Sequence, residues 1–265
     1  MYKTKSVLRN VVAIAICLAV TTTFTSCRDD DNGSSAVTTI TGSNILGTPT
    51  GVTNVKAEIW RWDSQTDTEY SMVIAEAPFR NGAFTLTLAT PPANFLTPFF
   101  GDEDDIPAGV TINPANARIS VVHGASAYNA AGDEIGYFYY ANFNWNDESE
   151  NRPNVLHYAL WVYADRDVTA TGEVKRSDEW DDIDMQYVWI DNINLNLRRG
   201  WNIVYMRETR TTAGNVQTNT HTTTSQRPSG ANLRWRFAME YMEEVTPEAH
   251  SATNADRQSV FLRSR

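Results

Sequence analysis

From about residue 50 onward, apolar and polar residues alternate along the chain, and no stretch repeats at helical spacing. Val55, Ala57 and Ile59 alternate with Lys56, Glu58 and Trp60, and Phe84, Leu86 and Leu88 with Thr85 and Thr87. Near the end, Leu233, Trp235, Phe237, Met239 and Tyr241 stand opposite Asn232, Arg234, Arg236 and Glu240, the pattern of a strand with one face in the core and one in water. Further strands are expected near 69–79, 117–128, 136–144, 155–164, 168–175, 186–197 and 201–209. Asn81-Gly82, Ala131-Gly132-Asp133 and Arg199-Gly200 supply turns in which glycine takes a positive φ. Short strands without intervening helices predict an all-β chain, an antiparallel β-sandwich in one body or in two packed lobes.

Two segments interrupt the pattern. Residues 94–114, with the prolines that begin at Pro91 and the acidic run Asp102 to Asp105, read as a Pro-rich acidic linker or loop. Residues 211–230, rich in Thr, Asn and Gln, read as a mobile loop. These divide the chain into a small lobe at 37–93, a main β-sandwich at 115–242 and a polar tail at 243–265. In the small lobe, Gly51-Val52, Val55 to Ile59, Ala75-Glu76-Ala77 and Asn81 to Leu86 resemble the first half of transthyretin-like, carboxypeptidase-regulatory sandwiches. Some 50 residues of strand bury little surface alone, so this lobe is expected to pack on 115–242.

Residues 1–26 are of a different kind. Lys3, Lys5 and Arg9 precede an apolar run from Val11 to Val20, and small residues lead to Cys27. Charged start, apolar middle and small-residue end make a secretory signal, and the apolar run is about half of the roughly 20 residues that a spanning helix needs. The chain has 2 cysteines, and cleavage before Cys27 would leave that one alone, without an internal disulfide partner. Thr25-Ser26-Cys27 resembles a relaxed lipoprotein lipobox, with Phe24 in place of the usual Leu, which implies acylation of Cys27. The tether 27–36 opens with Asp29, Asp30 and Asp31, and resembles the export signal of surface lipoproteins in Bacteroidetes. That resemblance implies an outer-membrane protein, anchored by lipid and exposed on the cell surface. In the body, Tyr137 to Tyr140, Trp161 to Val168 and Arg199 to Asn202 are similar to secreted Bacteroidetes lipoproteins to which no activity attaches.

Charge narrows the partners. The chain has 22 basic and 32 acidic residues, a formal charge of −10. Removing residues 1–26 takes away three basic residues and no acid, which brings the charge to −13. Such a chain lacks the basic face that nucleic acid requires, and acyl chains rather than polypeptide must hold it to anionic lipid.

No catalytic motif is found: G-x-S-x-G, H-E-x-x-H and the Gly-rich phosphate and dinucleotide loops are all missing from the sequence. His123, His157, His221 and His250 stand far apart, without a carboxylate or second histidine at ligand spacing. His157 reads as a packed histidine with one hydrogen-bond partner. Asp102 to Asp105, Asp165 with Asp167, and Asp178 to Asp184 offer hard oxygens to calcium, but no spacing matches a known calcium loop. Strand 155–164 is apolar on both faces, as a central strand covered on two sides would be.

The candidate site rests on tryptophan. Trp145 lies among Asn144, Asn146 and Asp147, and Trp180 between Glu179 and Asp181. Rings beside carboxylates and amides suit a sugar, stacking on its C–H faces while polar groups bond its hydroxyls. Trp60 and Trp62, on one face with Lys56 and Glu58, form a second patch. The reading is a lipid-anchored surface protein presenting a β-sandwich to a glycan or protein partner, without enzyme activity. A structural or anchoring subunit of a fimbria-like assembly is the second reading, and a secreted hydrolase the third.

Overall fold

The computed structural model describes residues 37–63, 66, 68–100, 106–144, 153–179 and 186–239. The signal segment, the tether, the acidic run 101–105 and the tail from 240 lie outside the described residues. The chain is an all-β, predominantly antiparallel sandwich. Its strands are β1 Thr39–Gly42, β2 Asn54–Asp63, β3 Thr68–Pro78, β4 Phe84–Thr87, β5 Thr97–Pro98, β6 Val110–Asn113, β7 Arg118–Val122 and β8 Ala125–Tyr128. They continue with β9 Glu134–Ala141, β10 Val155–Ala164, β11 Val168–Glu179, β12 Gln186–Leu197, β13 Gly200–Ala213, β14 Val216–Thr224 and β15 Arg234–Met239. A 3₁₀ turn at Ala93–Phe95 is the one helical element among the described residues.

β1 and β4 pair in a sheet of their own. The others form one sheet in the order β3-β2-β8-β9-β10-β13-β14-β12-β11-β6, with β15 on β9, and β7 on β10 carrying β5. β12 and β14 pair in parallel, and the remaining ladders are antiparallel. β10 has an apolar layer on each face, as its sequence requires. Trp161 and Tyr163 belong to a core with Val55, Ile59, Phe84, Leu86, Phe138 and Trp235. Leu160 and Val162 belong to a second core with Val168, Ile193, Leu195, Leu197, Val204 and Met206. β10 and β13 thus meet β11 and β12 across one core although β14 separates them in the sheet, so the sheet curls back on itself.

The first core joins residues from 37–93 to residues of the main body. Two expectations are corrected. Residues 94–114 are not merely a linker or loop, because β5 pairs with β7 and β6 with β11. Pro98 closes a two-residue strand at the margin of the sheet, where a missing N–H costs little. Nor is most of 211–230 a loop: Thr211–Ala213 ends β13 and Val216–Thr224 is β14, bonded on both sides, and only 214–215 and 225–230 lie outside the strands. Threonine is polar by composition but β-branched, and it suits a half-covered strand. The three expected turns form as read: Gly82, Gly132 and Gly200 all have positive φ, and Asn81 joins Gly82 at φ 53° in a two-residue hairpin turn closed by Arg80 and Ala83.

Candidate functional site

Of the residues singled out in the sequence, Cys27, Asp29, Asp30, Asp31, Trp145, Trp180 and Asp181 lie outside the described residues. Trp60 and Trp62 stand on the outer face of β2, 50% and 45% exposed. Strand alternation puts them there: Val55, Ala57 and Ile59 turn into the first core, so Lys56, Glu58, Trp60 and Trp62 turn out. Between Ala57 and Glu58 the β2–β3 register shifts, which pairs Glu58 with Val73, Trp60 with Ser71 and Trp62 with Glu69. Directly paired residues share a face. The two rings therefore sit in a row with Glu58 and Glu69, a serine hydroxyl and Val73 around them.

The same face continues onto β8 and β9. Tyr128 donates its hydroxyl to Glu58 Oε1 at 3.0 Å and meets Glu134 Oε2 at 3.4 Å. Lys56 Nζ lies 4.1 Å from the centre of the Tyr128 ring, a cation–π contact. Burial, then the charges of Glu134 and Glu58, raises the Tyr128 pKa above that of a free phenol, so the hydroxyl stays protonated and able to donate. Asn54 also donates to Glu76 on this face.

The opposite face of the hairpin is open as well. Tyr70 and Met72 are exposed there, and Arg61 reaches the carbonyl of Asn94 at 3.0 Å. Of the large apolar side chains exposed among the described residues, Trp60, Trp62, Tyr70, Met72 and Val73 are all on this hairpin, with only Leu46 and Met239 elsewhere. β3 is also the outermost strand of the sheet. Exposed apolar surface gathered on one hairpin marks a candidate interaction surface.

A second polar constellation is assembled by strand pairing and is not legible in local spacing. On the four-stranded arm formed by the outer halves of β11, β12, β14 and β13, Asp191 is 6% exposed and uses both carboxylate oxygens. Arg176 Nη2 lies 2.9 Å from Oδ2, and His221 Nδ1 3.0 Å from Oδ1. Asn219, also buried, accepts from Arg210 Nε and from Gln217 Nε2, each at 3.2 Å. Tyr187 and Trp189 lie beside them on the same strand, ring centroids 5.8 Å apart. His221 has a carboxylate partner in Asp191. The partner comes from a neighbouring strand 30 residues away, so local spacing could not reveal it. The available signal was the alternation Tyr187, Trp189, Asp191, Ile193, Leu195, Leu197: one strand face passes from aromatic through acidic to aliphatic.

Of the other acidic candidates, Asp102 to Asp105 and the side chains of Asp178 to Asp184 lie outside the described residues, whereas Asp165 and Asp167 have structural partners. Asp165 accepts the Arg118 N–H and pairs with Arg166, and Asp167 accepts the Arg199 N–H and pairs with Arg198. These bonds hold both carboxyls below the usual aspartate range; for Asp165 they outweigh burial, which alone would raise it. Among the described residues no three His, Cys, Asp or Glu side chains converge as metal ligands would. His157 is buried, and among the described residues its Nδ1 has no hydrogen-bond partner. Burial first and the Arg207 charge second lower its pKa and keep the ring neutral. No described helix is long and apolar enough to cross a membrane. Comparison with family models, with curated proteins and with solved structures gave no match.

Proposed function

We propose that this chain is a lipid-anchored binding protein of the outer-membrane surface, held by acylated Cys27, and that it receives a glycan on the outer face of the β2–β3 hairpin. One observation carries the reading: Trp60 and Trp62 stand exposed in one row between carboxylates, with a serine and a tyrosine hydroxyl on the same face. Indole faces supply apolar area to sugar C–H groups, and Glu58, Glu69 and Ser71 supply hydrogen-bond partners to hydroxyls. The ladder of β2 against β3 holds these groups in place, so little ordering accompanies binding. No catalytic step is assigned.

The test is a screen of the detergent-solubilised protein against immobilised neutral glycans, repeated with a Trp60→Ala, Trp62→Ala double variant. Binding that disappears in the variant, with the thermal midpoint kept, supports the reading. Binding that survives the double substitution would place the ligand elsewhere.

The second reading, a subunit of a surface assembly, draws on a different observation. β3 is an edge strand, with Tyr70 and Met72 on one face and Val73 on the other, all exposed. Such an edge can accept a further strand from a protein partner. Co-purification of stoichiometric subunits from native membranes, lost on Ser71→Pro, would favour assembly over glycan capture.

A further inference from the structure

We propose that the polar half of the curled sheet, around Trp189 and Arg210, is a second binding site, built for a sugar that carries a carboxylate. It stands on residues separate from the Trp60–Trp62 face and does not rest on that assignment.

The ladders fix which side chains share this face. One row runs Arg176, Trp189, Asn219, Arg210 across β11, β12, β14 and β13. The row toward the core runs Val174, Asp191, His221, Glu208, and the next runs Gly172, Ile193, Thr223, Met206. Ile193 and Met206 already belong to the second core. In the other direction the next row runs Asp178, Tyr187, Gln217, Thr212. The side of the sheet that encloses the core at one end is thus lined by two aromatic rings, two guanidiniums and two amides at the other.

A sheet with only structural duties has no need of these residues. The reverse side of β14 shows the simpler solution, a plain ladder of Thr218, Thr220, Thr222 and Thr224. On this side a buried carboxylate and a buried amide are used instead, and burying such groups is unfavourable unless each is bonded. Both are bonded, and what they achieve is the placement of other side chains. Asp191 fixes Arg176 and His221, while Asn219 fixes Arg210 and Gln217.

Arg210 decides the ligand class. Its Nε is engaged by Asn219, which leaves the two terminal nitrogens as donors, and no acidic side chain among the described residues lies within ion-pair distance of it. A planar guanidinium matches a carboxylate with two parallel hydrogen bonds. Glu208 lies one row deeper, where its charge acts on Tyr158 and helps burial raise that phenol's pKa. Tyr187 and Trp189 supply the apolar surface that a pyranose ring covers. Aromatic area beside an anchored guanidinium fits a uronic acid better than a neutral hexose.

Calorimetric titration of the intact protein with oligogalacturonate, and with the same oligosaccharide fully methyl-esterified, tests the proposal. The acid form should bind at least about tenfold more tightly than the ester, the worth of one charge-assisted fork. Arg210→Gln should remove that preference without moving the thermal midpoint. Arg210→Lys, which keeps the charge but loses the fork, should restore only part of it. Trp189→Ala should weaken both forms. Equal affinity for acid and ester, or an unchanged preference in Arg210→Gln, overturns the assignment. Loss of acid-form binding in Trp60→Ala, Trp62→Ala but not in Arg210→Gln would move the acidic sugar to the hairpin and also overturn it.

Discussion

Trp235 lies against Trp161 with ring centroids 5.5 Å apart and planes 11° from parallel, and its indole N–H donates to the carbonyl of Thr41 at 2.8 Å. One side chain near the end of the described chain thus ties β15 to β10 and to β1, an element almost two hundred residues earlier. Phe84 meets the same indole edge-on at 5.1 Å.

Trp235→Ala should therefore cost about 3–5 kcal/mol, the usual loss for a large aromatic removed from a packed core. Trp60→Ala and Trp62→Ala, at exposed positions, should stay within about 0.5 kcal/mol of wild type. Urea denaturation of the three variants side by side checks the contrast, and a comparable loss at Trp60 would show that its ring is packed.

Asn202 is fully buried beneath the turn from β12 to β13. Its amide donates to the carbonyls of Arg198 at 2.7 Å and Gly200 at 2.8 Å, while its Oδ1 accepts the Arg198 N–H at 2.9 Å. Asn202→Ala should destabilise the fold by about 1–3 kcal/mol, because it leaves buried backbone groups without partners. Faster amide exchange at Arg198 in the variant is the local readout.

Stability should fall on mild acidification. His123 keeps part of its surface open, yet burial of its imidazole pushes the pKa down from 6.5 to about 4. The unfolded chain therefore takes up a proton that the folded chain refuses. This contribution is fully present above pH 6.5 and is lost as pH falls toward 4. Unfolding midpoints measured across that window should drop, and a His123→Gln variant should show a shallower slope.

The lone cysteine that cleavage before it would leave makes Cys27 the expected acylation site. Cys27→Ala should abolish incorporation of radiolabelled fatty acid and release the protein from the membrane fraction. Equal labelling of wild type and variant would refute the assignment.

Asp29, Asp30 and Asp31 are expected to direct surface display. Protease added to intact cells should remove the wild-type protein, and alanine at the three positions should protect it. Degradation of the wild type only after lysis would place it on the periplasmic side.

Fold class and most of the strands are legible in the alternation of apolar and polar residues. Alternation is a local property, because successive side chains on a strand point to opposite faces, and for that reason 155–164 and 186–197 form strands over the ranges read from it. It likewise determined that Trp60 and Trp62 face outward, since Val55, Ala57 and Ile59 occupy the other side of β2. Composition misleads at 211–230, where threonine reads as loop although its branched side chain suits a strand with neighbours on both sides. Which strands lie together is a matter of the long-range pairing. β14 inserts between β12 and β13, which are consecutive in the chain, and this brings His221 to Asp191 and Asn219 to Arg210. Hydrogen-bonded pairing between strands depends on register and order, which the pattern within any one strand does not encode.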